Sequence, residues 1–248
     1  MAFDVAGLAL IAAVFGAAGV VKGVIGFGLP TISMGLLGVL IAPEIAAAIL
    51  IIPTFVTNIW QAFVGPHTWT VLRRFWPMLA GVFLGTLTTA GVITGADPRV
   101  AAGLIGTMLF IYGALGLSGV RFRVPRNAEI VAGPIAGLTT GLINGATAIF
   151  VLPGAPYLQA SELDRGELIQ AFGFVGLVAP VALALGFGLN QSVDTDLWPM
   201  VVVALIAAIT GMTAGQAVRG HLTVSEFQRW VLIGLAVLGC VMVVRALA

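Results

Sequence analysis

The sequence predicts an all-α polytopic membrane protein with two inverted repeats of about five apolar segments each. The first two segments of each repeat form an interrupted or re-entrant helix pair. Three observations carry this reading. Of 248 residues, 60% are hydrophobic and only 8% are charged, whereas a soluble domain needs about a quarter of its residues charged. Asp, Glu, Lys and Arg are absent from 23–43, 75–96, 100–120, 130–161, 168–192 and 197–218. These runs have the length set by the roughly 20 apolar residues that cross a ~30 Å hydrocarbon core. Finally, short patterns in the first half recur in the second. A soluble enzyme is excluded.

The segments run in two sets of five. The first set is 5–21, 29–42, 45–64, 75–95 and 100–117, and the second is 130–145, 146–160, 168–189, 197–218 and 230–246. They divide the chain into a first membrane repeat, 1–120, and a second, 121–248, within one integrated domain. Backbone groups in lipid must be satisfied internally, so the segments are helices. Weak alternation argues against a barrel, and the 33 glycines and 12 prolines suit membrane helices. The first segment follows Met-Ala-Phe-Asp without a basic stretch, so it is expected to be retained rather than cleaved.

Loop charges orient the helices. Arg73 and Arg74 precede the fourth segment, Arg121, Arg123 and Arg126 join the halves, and Arg219, His221 and Arg229 flank the last connection. Asp194 and Asp196 occupy a loop without Lys or Arg. The positive-inside rule then puts the arginine loops in the cytoplasm, the aspartate loop outside and both termini outside. Arg99 and Arg245 are exceptions on the outer side.

The halves echo one another. Trp76-Pro77-Met78 opens the fourth segment and Trp198-Pro199-Met200 the ninth, each followed by a spaced glycine pair, Gly81/Gly85 and Gly211/Gly215. The glycine pairs read as packing notches and the Trp-Pro pairs as interface anchors. Gly23-Val24-Ile25-Gly26 aligns with Gly141-Leu142-Ile143-Asn144, and the same register brings Glu44 onto Glu162. Dipole complementation at helix starts accounts for both glutamates. Similar halves of opposite orientation are a signature of secondary transporters.

Each half opens with an apolar run broken by glycine, at 23–28 and at 141–146. Helix ends buried at that depth need partners, so the breaks are expected to line a polar cavity. The following helices, starting at Pro30 and Thr147, would aim positive dipole ends into it, where an anion binds. Lys22, the chain's only lysine, stands beside the first break. It is either a counter-charge for that anion or a side chain that snorkels to the headgroups. Thr54, Asn58 and Gln61 share one helix face, and Gln170 opens the equivalent helix. Such amides either glue helices together or line a path.

No zinc-protease, CxxC, nucleophile-elbow or phosphate-loop motif occurs, so no enzyme, cofactor or metal site is expected. The net charge of +1 leaves no basic face for nucleic acid. Cys240 is a lone inert residue, and His67 and His221 are solvated loop residues.

The glycine-rich break followed by Pro30 resembles the TauE/SafE sulfite-exporter family, as do its recurrence in the second half and the Thr57-Asn58-Ile59-Trp60-Gln61 stretch with a basic loop after it. Gly23, Gly26, Gly28 and Pro30 match the first motif, and Gly141, Gly145 and Pro153 the second. The chain departs by having spaced glycines rather than a triplet and by carrying Asn144 and Thr147. The resemblance implies a multi-pass protein of the bacterial inner membrane that moves sulfite or short organosulfonates such as sulfoacetate. The expectation is a secondary transporter working by alternating access, with a small anion and the lipid bilayer as partners and a homodimer allowed for. The competing reading is a non-transporting subunit that anchors or assembles a complex. Residues expected to bind substrate are Lys22, Gly23, Gly26, Phe27, Gly28, Thr31, Asn58, Gln61, Thr140, Asn144, Gly145, Thr147 and Gln170.

Overall fold

Ten α-helices and no strands make up the described part of the chain, which in this computed structural model comprises residues 5–120, 123–190 and 197–247. Arg121, Asp194 and Asp196, used above to orient the helices, lie outside it. Eight helices are long and apolar enough to cross a membrane: α1 (Val5–Ile25), α3 (Pro43–Phe63), α4 (Thr68–Gly95), α5 (Pro98–Leu117), α6 (Glu129–Thr147), α8 (Arg165–Asn190), α9 (Trp198–Val218) and α10 (Val224–Leu247). Two are short, α2 (Leu29–Leu37) and α7 (Gly154–Ala160). At 1.5 Å per residue neither short helix covers more than about half a hydrocarbon core. All five tryptophans are exposed, as amphipathic rings at a lipid–water boundary are.

The two interruptions depend on different chemistry, and the second is not where glycine spacing put it. α1 stops at Ile25 because Gly26 and Gly28 take φ of 102° and 108°, a region closed to most L-residues. Pro30 then starts α2, where its missing N–H is not needed. Gly23 is no part of the break; it lies inside α1. In the second half α6 continues unbroken through Gly141 and Gly145 to Thr147. The lapse falls at 148–153, where Ala148 has φ 56° and Thr147 Oγ1 accepts the Ile149 N–H at 3.2 Å. The expected break at 141–146 is therefore corrected, and the short helix begins at Gly154 rather than at Thr147.

The displaced glycines serve packing. A methyl on Gly141 would strike Val82 O and one on Gly145 would strike Thr86 O, both on α4. Gly23 is pressed against Met212 O of α9 in the same way. The notches expected at Gly81/Gly85 and Gly211/Gly215 face α6 and α1 respectively. These bare stripes let backbones approach closely, which substitutes for a hydrophobic drive that lipid cannot supply.

The principal helix pairs are α4 with α6, α1 with α9, α5 with α10, and α3 with both α8 and α9, while α8 also packs on α4. Exchanging each helix of the first five for its counterpart in the second leaves this set of pairs unchanged. α3 and α8 cross at the centre, and α5 and α10 form an outer pair against α2. The start of α4 defines the basic end of the bundle. There Arg74 holds Glu129 of α6 through Nε at 2.9 Å and Nη2 at 2.5 Å, and donates to Ser161 O at 2.6 Å. Glu162 does not start a helix; it has φ 51° and pairs with Arg123 at 2.6 Å. The first turn of α8 is capped instead by Asp164, which accepts the Glu167 N–H at 2.8 Å.

Candidate functional site

Lys22 sits three residues before the end of α1 and is only 3% exposed. Its Nζ donates to Thr57 Oγ1 of α3 at 3.0 Å, and Thr57 in turn donates to Pro53 O at 2.7 Å. No carboxylate lies within 4.0 Å of it among the described residues. A snorkelling lysine would show an exposed amine, so that reading fails. A buried cation with one neutral partner is costly unless something else neutralises it.

Asn58 follows Thr57 on α3. Its Nδ2 donates to Thr54 O at 2.7 Å, and its side chain presses on Gly176 of α8, which has no Cβ to obstruct it. Asn144 of α6 reaches the same helix three residues on, donating to Ala179 O at 3.3 Å and to Thr86 Oγ1 of α4 at 3.1 Å. Amides from both halves thus converge on one turn of α8. Pro180 has no N–H to give Gly176 O, so the helix leaves that carbonyl open at this turn. Thr31 Oγ1 and Ser33 Oγ on α2 and Thr54 Oγ1 on α3 are buried without partners. Unpaired buried hydroxyls each carry a desolvation cost of about 1–3 kcal/mol and mark places where a ligand can supply the missing bond. Ser33 of α2 and Thr86 of α4 are buried polar residues here that sequence patterns missed, since neither had a polar spacing or a break beside it to mark it.

Other expected residues have jobs in holding the frame. Gln61 donates to Gly26 O at 2.6 Å and Ile169 O at 2.9 Å, satisfying the carbonyl that the end of α1 leaves open. Gln170 donates to Ala62 O at 3.0 Å and to Thr68 Oγ1 at 2.9 Å, and accepts the His67 N–H at 2.9 Å, which ties the α3–α4 turn to α8. Thr140 and Thr147 donate to carbonyls one turn back, Ala136 O and Ile143 O. Phe27 stacks on Phe172 with ring centroids 4.6 Å apart. Gly23, Gly141 and Gly145 face neighbouring helices, not the Lys22 cluster.

The α2 N-terminus has no side-chain cap, which leaves its first N–H groups open to an anion. α7 has only seven residues and supplies a weaker field. His67, Asp164 and Glu167 bring ligand atoms within 4.8 Å of one another at the basic end. Their bonds form a helix cap rather than a closed coordination shell, since Asp164 and Glu167 exchange backbone bonds.

A model of the sulfite exporter TauE/SafE matches residues 10–242, nearly the whole chain. The chain belongs to the TauE/SafE family. It is a multi-pass membrane protein of a transporter family, and the resemblance read from the broken first helix holds over both halves. No curated protein and no solved structure matches it. In this TauE/SafE protein the Thr57-Asn58 pair of the matching stretch does reach the interior: Thr57 accepts from the buried Lys22, and Asn58 packs on Gly176 of α8, the helix that Asn144 also contacts.

Proposed function

We propose that this TauE/SafE protein is a secondary transporter that moves sulfite or a short organosulfonate across the bacterial inner membrane by alternating access. The observation that carries the reading is Lys22: a deeply buried lysine with one neutral hydrogen-bond partner and, among the described residues, no carboxylate within 4.0 Å. An anion that enters beside it would gain a cation, the second N–H of the Asn58 amide, the open N–H groups of α2 and the unpartnered hydroxyls of Thr31 and Thr54. A sulfonate or sulfite has three oxygens to accept these bonds, which a halide lacks.

Alternating access is supported by the exchange symmetry of the helix pairs. α1 runs in the same direction as α9, and α6 in the same direction as α4. Because α4 starts at the basic end while α9 finishes there, α1 and α6 run oppositely, as inverted repeats require. Rocking of one half against the other around a fixed midplane site is how such repeats expose it to each side in turn. An anchoring subunit needs neither the buried lysine nor two broken helices.

The test is flux in proteoliposomes. Purified protein should move labelled sulfite, and sulfoacetate at a comparable or lower rate, while acetate and chloride stay at the level of empty liposomes. Equal movement of chloride, or no movement of any sulfur anion in either direction, would overturn the reading.

A further inference from the structure

Arg99 and Arg245 break the loop-charge pattern, and the structure brings them to one place. They come from different halves of the chain, at the start of α5 and the end of α10, and both line a cleft of about 410 Å³ at the end of the bundle opposite Arg73 and Arg74. Its floor is the α2–α3 connection, residues 38–43, and Ala102 and Met242 complete the walls. Neither arginine has a carboxylate within 4.0 Å among the described residues. Asp97, beside Arg99 in sequence, is occupied in capping α5, where it accepts the Arg99 backbone N–H at 2.8 Å. Glu44, one residue past the lining Pro43, forms no ion pair with the described residues.

We propose that this cleft binds the headgroup phosphate of an anionic phospholipid. Two guanidinium groups match phosphate oxygens in fork geometry, and the same chemistry serves a lipid headgroup phosphate in either leaflet. The apolar lining from Val39, Leu40, Ala102 and Met242 covers the glycerol and first methylenes. A small hydrated oxyanion would gain nothing from that surface, which favours lipid over a free anion. A second, larger cleft lies between the opposite ends of α5 and α10, encloses about 1020 Å³, and offers Arg229 as the one arginine among its described lining residues. A bound lipid would bridge α5 and α10 to the connection that joins α2 to α3.

The experiment titrates phosphatidylglycerol into the purified chain in phosphatidylcholine nanodiscs and reads retention by native mass spectrometry with thermal shift alongside. Wild type should retain phosphatidylglycerol. The pair Arg99→Gln and Arg245→Gln should weaken it about thirtyfold, from about 1 kcal/mol per arginine near the surface. Arg229→Gln should leave it unchanged. Wild-type retention by the double variant overturns the proposal. So does displacement of the lipid by millimolar inorganic phosphate or sulfite, which would make this a free-oxyanion site. If the double variant does not fold, photoactivatable phosphatidylglycerol on wild type must label residues 38–43 or Met242, and labelling confined to other surfaces overturns the proposal equally.

Discussion

Lys22 is where the account is most exposed to a single substitution. Its Nζ has Thr57 Oγ1 at 3.0 Å and no acid within 4.0 Å among the described residues, and the proposed function makes an anion its second partner. Thr57→Val removes that one protein bond and leaves the amine in place. Anion affinity should then fall by a neutral bond's worth, about 1 kcal/mol or fivefold, and titration of sulfite into the folded variant checks it. Asn144→Ala removes donors to Thr86 and Ala179 and should cost about 1–3 kcal/mol, split between stability and binding. Thermal shift with and without sulfite separates the two. At this scale the sequence was partly readable. Lys22 stood out as the sole lysine and Asn58 by its spacing, because buried polar groups in an apolar chain are rare. Gln61, Gln170, Thr140 and Thr147 stood out for the same reason yet turn out to satisfy backbone carbonyls. A residue type does not reveal which atom it will bond.

Helix ends and helix contacts divide the glycines into two kinds, and substitution should separate them. Gly26 and Gly28 hold positive φ with room for a methyl. Alanine there should cost about 1–2 kcal/mol of backbone strain each, with little change in packing. Gly85 and Gly141 face the opposite constraint: their φ is helical but a methyl meets the facing backbone. Alanine at either should separate α4 from α6 and cost 1–3 kcal/mol or more by overpacking. Thermal unfolding in detergent ranks them, and parity between Gly141→Ala and an exposed glycine such as Gly234→Ala would contradict the notch assignment. This division explains the misplaced second break. Glycine marks both a chain break and a close helix crossing, and only the facing helix tells them apart. Ala148 with φ 56°, which ends α6 in practice, leaves no trace in composition.

The bundle as a whole follows from hydropathy, because the charge-free runs had to become helices in lipid. Each of the ten apolar segments became a helix, with the second and seventh shortened to Leu29–Leu37 and Gly154–Ala160. What hydropathy could not supply was the partner of each helix, which depends on glycine stripes meeting across the chain. Orientation rests on loop charge: reporters fused after Arg123 should read cytoplasmic, and those after Asp194 external. An external reading after Arg123 would overturn the orientation read from the loop charges.

The most direct measurement is sulfite affinity of purified, folded Lys22→Ala by calorimetry, beside wild type and Lys22→Arg. Removing one partner from a buried charge pair costs on the order of 3–5 kcal/mol, a loss of 10²-fold or more. Lys22→Ala should therefore show no measurable binding, with Lys22→Arg keeping part of it because the charge persists in a different shape. Wild-type affinity in Lys22→Ala would contradict the account and leave the buried lysine without a role in anion recognition.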